Sequence, residues 1–237
     1  MSTTRRLAAN LTTVALLGLT PIALAPPSRA AATVETFTIA APSATVVEYG
    51  STFDIDVDLD SASGTTPTKG VTTLLALPAG GRTWVPVATA TSTGGDFLGV
   101  TPALNTTYKV AYAGYTPTGS SSTEDTYSPS ESDTFVIGVA RTITHPTSGF
   151  VLKGTVAPEF GKKKITIRAS KSRKRGFKPF RTIKTTRTGS YRTRLPARDG
   201  TWYWKVSVRG DSRFRGNGYV WKTEVFHRSA TRAGVGA

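Results

Sequence analysis

The 237-residue chain has no cysteine, one methionine and two histidines. Without cysteine there can be no disulfide, no lipid-modified cysteine and no thiolate metal site. With only His145 and His227, a histidine cluster cannot be assembled at ordinary ligand spacing. His145 precedes Pro146 and His227 closes the last predicted strand, and neither stands in a Gly-x-Ser-x-Gly turn. No glycine-rich phosphate loop opens a helix, because no helical period of useful length follows the N-terminal segment. The expectation is a protein that is not an enzyme, with no metal site and no cofactor. Acidic residues are scarce as well: 15 against 30 Lys and Arg, a formal net charge of +15.

One long apolar run is present. Arg5 and Arg6 precede an apolar stretch from Leu7 to Leu24, broken by Pro21, and Ser28-Arg29-Ala30-Ala31-Ala32 follows. A charged start, an apolar middle and a small-residue end form a secretory signal. Residues 1–32 are therefore expected to be a signal peptide, cut after Ala30 or Ala32. Asn10, Thr12, Thr13 and Pro21 argue against the alternative, a retained membrane anchor. The arginine pair leaves both the general secretory and the twin-arginine routes open. The mature chain is expected to be a bacterial secreted protein, extracellular or held at the cell wall, with no transmembrane segment.

The mature chain repeats itself. Trp84-Val-Pro86-Val87-Ala-Thr89 returns as Phe177-Lys-Pro179-Phe180-Arg-Thr182. Gly95 to Phe97 returns as Gly189 to Tyr191, and Thr107-Tyr108-Lys109-Val110 as Tyr203-Trp204-Lys205-Val206. Gly114 and Gly210 close the copies. A period near the size of one small domain means that a whole folding unit is duplicated. The units are placed at 33–139 and 140–228, joined by the short Gly138-Val139-Ala140-Arg141 junction, with a tail at 229–237. Two units of this size can bury a core without disulfides.

Within each unit the period is two. Phe53, Ile55, Val57 and Leu59 alternate with Asp54, Asp56, Asp58 and Asp60. Tyr191, Thr193 and Leu195 alternate with Arg192 and Arg194, and Trp204, Val206 and Val208 with Lys205, Ser207 and Arg209. Such alternation gives strands with one dry and one wet face, and the frequent Gly, Pro, Ser, Thr and Asp supply the turns. The expected fold class is all-β, two tandem β-sandwiches.

These motifs resemble the immunoglobulin-like domains of bacterial secreted and cell-surface proteins. The resemblance is carried by Gly154-Thr155-Val156, Lys164-Ile165-Thr166-Ile167, the Trp/Phe-x-Pro-x-x-Thr strand and the Gly210-Asp211-Ser212-Arg213-Phe214 loop. It covers nearly all the mature chain and is clearer in the second copy. The first copy departs from it after Gly114-Tyr115-Thr116-Pro117, where a Ser/Thr-rich stretch reaches Pro129. The resemblance implies a spacer, an adhesion module or a substrate-binding accessory.

The two copies differ most in charge. Residues 33–139 hold three Lys/Arg and eleven Asp/Glu, net −8; residues 140–237 hold 24 Lys/Arg and four Asp/Glu, net +20. A domain this basic attracts polyanions. The cations concentrate at Lys162, Lys163 and Lys164, and at Lys171, Arg173, Lys174, Arg175 and Lys178 around the next hairpin; Arg192 and Arg194 should point outward and extend the set. The equivalent hairpin of the first copy is Pro78-Ala79-Gly80-Gly81-Arg82. Arginine suits bidentate contacts to phosphate or carboxylate, and lysine supplies diffuse charge.

Outside a cell the anions at hand are cell-wall phosphate polymers, acidic polysaccharides, lipid surfaces and released DNA. The expected partner is an anionic cell-wall polymer or acidic polysaccharide, with no specific nucleic acid. The alternatives are self-association through acidic-to-basic contacts, and a carbohydrate-binding accessory using the Trp202-Tyr203-Trp204 run. Trp204 aligns with Tyr108 and so reads as core; Trp202 shares its face, and Tyr203 faces the other way. Asp54 to Asp60 fail the calcium-loop pattern, since the sixth and twelfth positions are Leu59 and Thr65. They read as a solvated acidic strand, with weak surface cation binding beside Glu48 or Asp96 as the alternative.

Overall fold

The computed structural model describes residues 31–118 and 124–226. Nearly all of the expected signal peptide, His227 and the 229–237 tail lie outside the described residues. Every regular element among the described residues is a strand. The first unit contains β1 (Thr33–Val34), β2 (Thr36–Pro42), β3 (Val46–Glu48), β4 (Phe53–Ser61), β5 (Thr72–Pro78), β6 (Val85–Thr89), β7 (Phe97–Val100), β8 (Thr106–Tyr112), β9 (Thr126–Tyr127), β10 (Ser130–Glu131) and β11 (Phe135–Ala140). The second contains β12 (Thr142–Ile143), β13 (Val151–Ala157), β14 (Lys164–Ser170), β15 (Lys178–Lys184), β16 (Ser190–Arg194), β17 (Gly200–Val208) and β18 (Asn217–Val225).

The strand order is the same in both units. A sheet β2-β4-β7 faces a sheet β3-β11-β8-β5-β6, and a sheet β12-β13-β16 faces β15-β14-β17-β18. This non-sequential order, three strands against four or more, makes each unit an immunoglobulin-like sandwich. Period-two alternation sets the faces: Ile165, Ile167, Trp204, Val206 and Leu152 pack inside the second unit, and Phe53, Ile55, Leu74, Val110 and Ile137 inside the first. Each such side chain contributes about 1.5–3 kcal/mol relative to an exposed one.

The repeated proline motif has a structural cause. The β5–β6 register slips between Leu74, opposite Ala88, and Leu75, opposite Pro86. The β14–β15 register slips between Ile167, opposite Arg181, and Arg168, opposite Pro179. Val87 and Phe180 are thus the extra residues of the same bulge in both copies. Proline has no N–H for a ladder bond, so it is accommodated where pairing is interrupted.

The loop from Gly210 to Gly216 leaves the second unit and enters the first. Phe214 is buried in the first unit's core beside Ile137 and Val139. Arg215 N donates to Val139 O at 2.7 Å, and Asn105 N and Nδ2 donate to Arg213 O and Ser212 O at 2.8 and 2.9 Å. Gly210 and Gly216 permit the tight return, since a Cβ on Gly210 would lie 2.6 Å from Gly216 N. Under this loop the Arg141 side chain is 1% exposed, with its guanidinium over Phe214 and Phe160 at 4.7 and 5.2 Å. Arg141 Nη2 donates to Asp211 Oδ2 at 2.6 Å. A buried guanidinium requires a partner of this kind.

Candidate polyanion-binding surface

Three regions receive the ten cations singled out in the sequence. Lys162, Lys163 and Lys164 lie at the end of β14 nearest the first unit, where Lys163 Nζ reaches Asp211 Oδ2 at 3.2 Å. Lys171, Arg173, Lys174, Arg175 and Lys178 surround the β14–β15 hairpin at the opposite end of the strand. The six-residue separation along β14 corresponds to roughly 20 Å. Arg192 and Arg194 sit on β16, in the other sheet. The ten residues are exposed, but they do not form one cluster.

Strand register brings further cations together that are distant in sequence. Arg168 on β14 stands opposite Lys205 on β17, and Lys164 stands opposite Lys184 on β15. With Lys222 of β18 they form a cationic outer face across four strands. Arg173 and Lys174 line the same groove as Lys205, Ser207, Asn217 and Tyr219, a concavity of about 820 Å³. Arg168, Lys184, Lys205 and Lys222 do not stand out in the sequence because each is a single cation in an alternating strand. Only register brings them together.

The outer face of the other sheet is also basic: Lys153 on β13 stands opposite Arg192 on β16. Three pairs of like charges therefore face each other directly, Lys153–Arg192, Lys164–Lys184 and Arg168–Lys205. Directly opposed like charges destabilise a sheet. Among the described residues the first unit pairs no like charges across its strands; Asp56, Asp58 and Asp60 stand opposite Ala41, Ile39 and Phe37.

Asp54, Asp56, Asp58 and Asp60 are exposed, with Asp54 Oδ1 accepting from Gly99 N at 2.8 Å and Asp96 Oδ1 from Val57 N at 2.8 Å. Among the described residues no group of three or more His, Cys, Asp or Glu is placed to hold a metal ion. His145 is exposed and packs its ring against Tyr219 at 5.1 Å. Trp204 is fully buried, whereas Trp202 and Tyr203 are half-buried on opposite faces.

Burial pushes the Asp211 carboxyl up, and hydrogen bonds from Arg141 and Lys163 together with the Arg141 charge outweigh it, bringing the pKa down to about 2. Asp211 thus stays ionised and serves the junction.

The strand order defines the class: a protein of tandem immunoglobulin-like sandwiches. No protein-family model matches the chain, and no curated protein matches it. Solved structures similar to it include a tetra-tandem repeat from the extending region of a large adhesion protein, at 13% identity and TM-score 0.31 over 80% of this chain and 48% of that one. The chain spans about half the length of that structure. The FN1–FN3 domains of chicken CNTN1 align at 11% identity and TM-score 0.27, over 83% of this chain and 69% of that one. The human OSCAR ligand-binding domain aligns at 13% identity and TM-score 0.25, over 81% of this chain and 98% of that one.

Proposed function

We propose that the chain is a non-catalytic binding or adhesion protein, secreted to the cell surface, whose second unit contacts an anionic envelope polymer. The observation that carries this reading is the set of like-charge pairs built into the second unit. A sandwich does not need Arg168 opposite Lys205 or Lys164 opposite Lys184, and both arrangements oppose folding. A polyanion laid across β15-β14-β17-β18 relieves that repulsion and gains the contacts. The hairpin cations Arg173 and Lys174 overhang the same groove and extend the track. Such contacts are screened by salt.

The test is co-sedimentation of the full chain with a purified anionic wall polymer at low and high salt. Salt-sensitive binding that falls at least tenfold in the Arg168→Thr/Lys205→Gln/Lys174→Gln variant is the expected result. Binding that the triple variant retains in full overturns the reading.

A second reading rests on a separate observation. The β2-β4-β7 face of the first unit carries Asp54, Asp56, Asp58 and Asp60, and the matching β13-β16 face of the second carries Lys153, Arg192 and Arg194. Complementary faces on one chain allow head-to-tail association, which can grow open chains. Light scattering at low and high salt decides it: salt-reversible oligomers support association, and a monomer at both concentrations removes it.

A further inference from the structure

Trp202 marks the place where the second unit departs from the first in shape as well as charge. By the offset that aligns Trp204 with Tyr108, Trp202 falls on Thr106 of the first unit. Thr106 is buried, with its hydroxyl tied to Leu104 O at 2.7 Å. Trp202 instead stands at the open end of its sandwich, with Nε1 donating to Asp199 O at 3.2 Å. Its ring lies 6.2 Å from that of Trp204, and Phe180, the bulge residue, meets Trp204 edge-on at 4.9 Å. The bulge that the first unit fills with Val87 therefore adds Phe180 to an aromatic cluster in the second, with Trp204 buried and Trp202 half-buried at its edge.

Cations surround this cluster. The Arg198 guanidinium lies 4.4 Å from the Trp202 ring centroid, and Lys171 Nζ lies 4.6 Å from it. Lys171 Nζ also donates to Asp199 O at 3.0 Å. Beside them opens a cavity of about 500 Å³ whose walls include Ser170, Lys171, Arg175, Lys178 and Trp202. Its rim is braced: Ser170 Oγ donates to Arg175 O at 2.6 Å and accepts from Ser172 N at 2.9 Å. An aromatic ring beside three exposed cations, in an open depression of this size, suits a sugar that carries a negative group. The apolar face of a sugar ring lies on the indole, and a negative substituent meets the cations.

We infer that the hairpin cavity at Trp202 is a binding subsite for a saccharide unit bearing a carboxylate or phosphate. The inference rests on the polyanion reading and deepens it. The groove at Lys205 tracks charge along a polymer, whereas the Trp202 cavity recognises one residue of it. A bound sugar takes the place of Lys171 over the ring, so the indole emission should change on binding.

The experiment is a calorimetric titration of the full chain with glucuronic acid, glucose 1-phosphate and neutral glucose at matched ionic strength, with indole emission of the unaltered chain followed in parallel. Trp202→Phe, which keeps an aromatic ring in the packing, and Lys171→Met are measured in parallel. The expected result is saturable change with at least one acidic sugar, none with glucose, and loss of at least tenfold in affinity in both variants. Preference between glucuronic acid and glucose 1-phosphate identifies the anionic group. Equal responses to glucose and the acidic sugars, or unchanged binding in Trp202→Phe, overturn the subsite. Co-sedimentation with the wall polymer separates the two ideas. If the polymer still binds through Lys205 while the sugar titrations fail, the subsite falls and the polyanion reading stands. If the triple variant at Arg168, Lys174 and Lys205 binds polymer as well as the unaltered chain, the polyanion reading falls.

Discussion

Lys109 and Lys205 occupy the same position in the two units and have opposite circumstances. Lys109 is 16% exposed, pairs with Glu131 at 2.7 Å and lies 5.0 Å from the centre of the Trp84 ring. Lys205 is exposed and faces Arg168. Removing a directly opposed like charge relieves roughly 0.2–1 kcal/mol of repulsion. Lys205→Gln is therefore expected to raise the stability of the free protein by that amount in urea titrations while weakening polymer binding. A substitution that lowers both would tie Lys205 to the fold alone. Asp211 makes the opposite case. Its pKa is depressed from 3.8 to about 2, so the ionised form stabilises the fold. That contribution is present above the ordinary carboxylate range and is lost as pH falls from about 4 to about 2. Asp211→Asn should melt earlier than the parent at pH 7, and the two melting curves should converge near pH 2. A difference that stays constant over this range would remove the ionised carboxylate from the account.

At the level of strands and turns, the β14–β15 hairpin depends on Gly176, whose φ of +71° is unfavourable for any residue with a Cβ. A Cβ there would meet only Ser170 Oγ at an ordinary 3.5 Å, so the cost of substitution is backbone strain alone. Gly176→Ala should cost about 1–2 kcal/mol in chemical denaturation, and Gly176→Asn less. Much of this level was legible in the chain. Alternation assigned Trp204 and Val206 to the core and Lys205 and Arg192 to solvent, and the two copies aligned at Pro86 and Pro179. Strand neighbours were not legible. Runs of adjacent cations, such as Lys162 to Lys164 and Lys171 to Arg175, draw attention in a linear text, yet a strand holds them far apart. Arg168, Lys184 and Lys205 are distant in sequence, and hydrogen-bonded register makes them a face. The bulge explains why the proline motif recurs, but no pattern within one strand announces a slip relative to the next.

For the molecule as a whole, the loop at Gly210–Gly216 couples the units. Phe214 is supplied by the second and buried in the first, so truncating it leaves a cavity in a core to which its own unit does not belong. Phe214→Ala should cost about 3–5 kcal/mol. It should divide a shared calorimetric transition into two, with the first unit melting earlier. A single transition at the original temperature would show that the loop carries no coupling. The Gly-Asp-x-x-Phe motif was visible from the start, but its destination was not. In the sequence Phe214 is only the last residue of a loop motif in the second copy, and Arg141 a junction residue.

This lock also bears on orientation. With net −8 in residues 33–139 and +20 beyond them, two units held together form an electric dipole as well as a carrier of excess charge. Near a negatively charged surface such a body feels a torque along with its attraction. It turns the basic unit inward and holds the acidic one away, so the junction at Arg141 and Phe214 converts a charge difference into a direction.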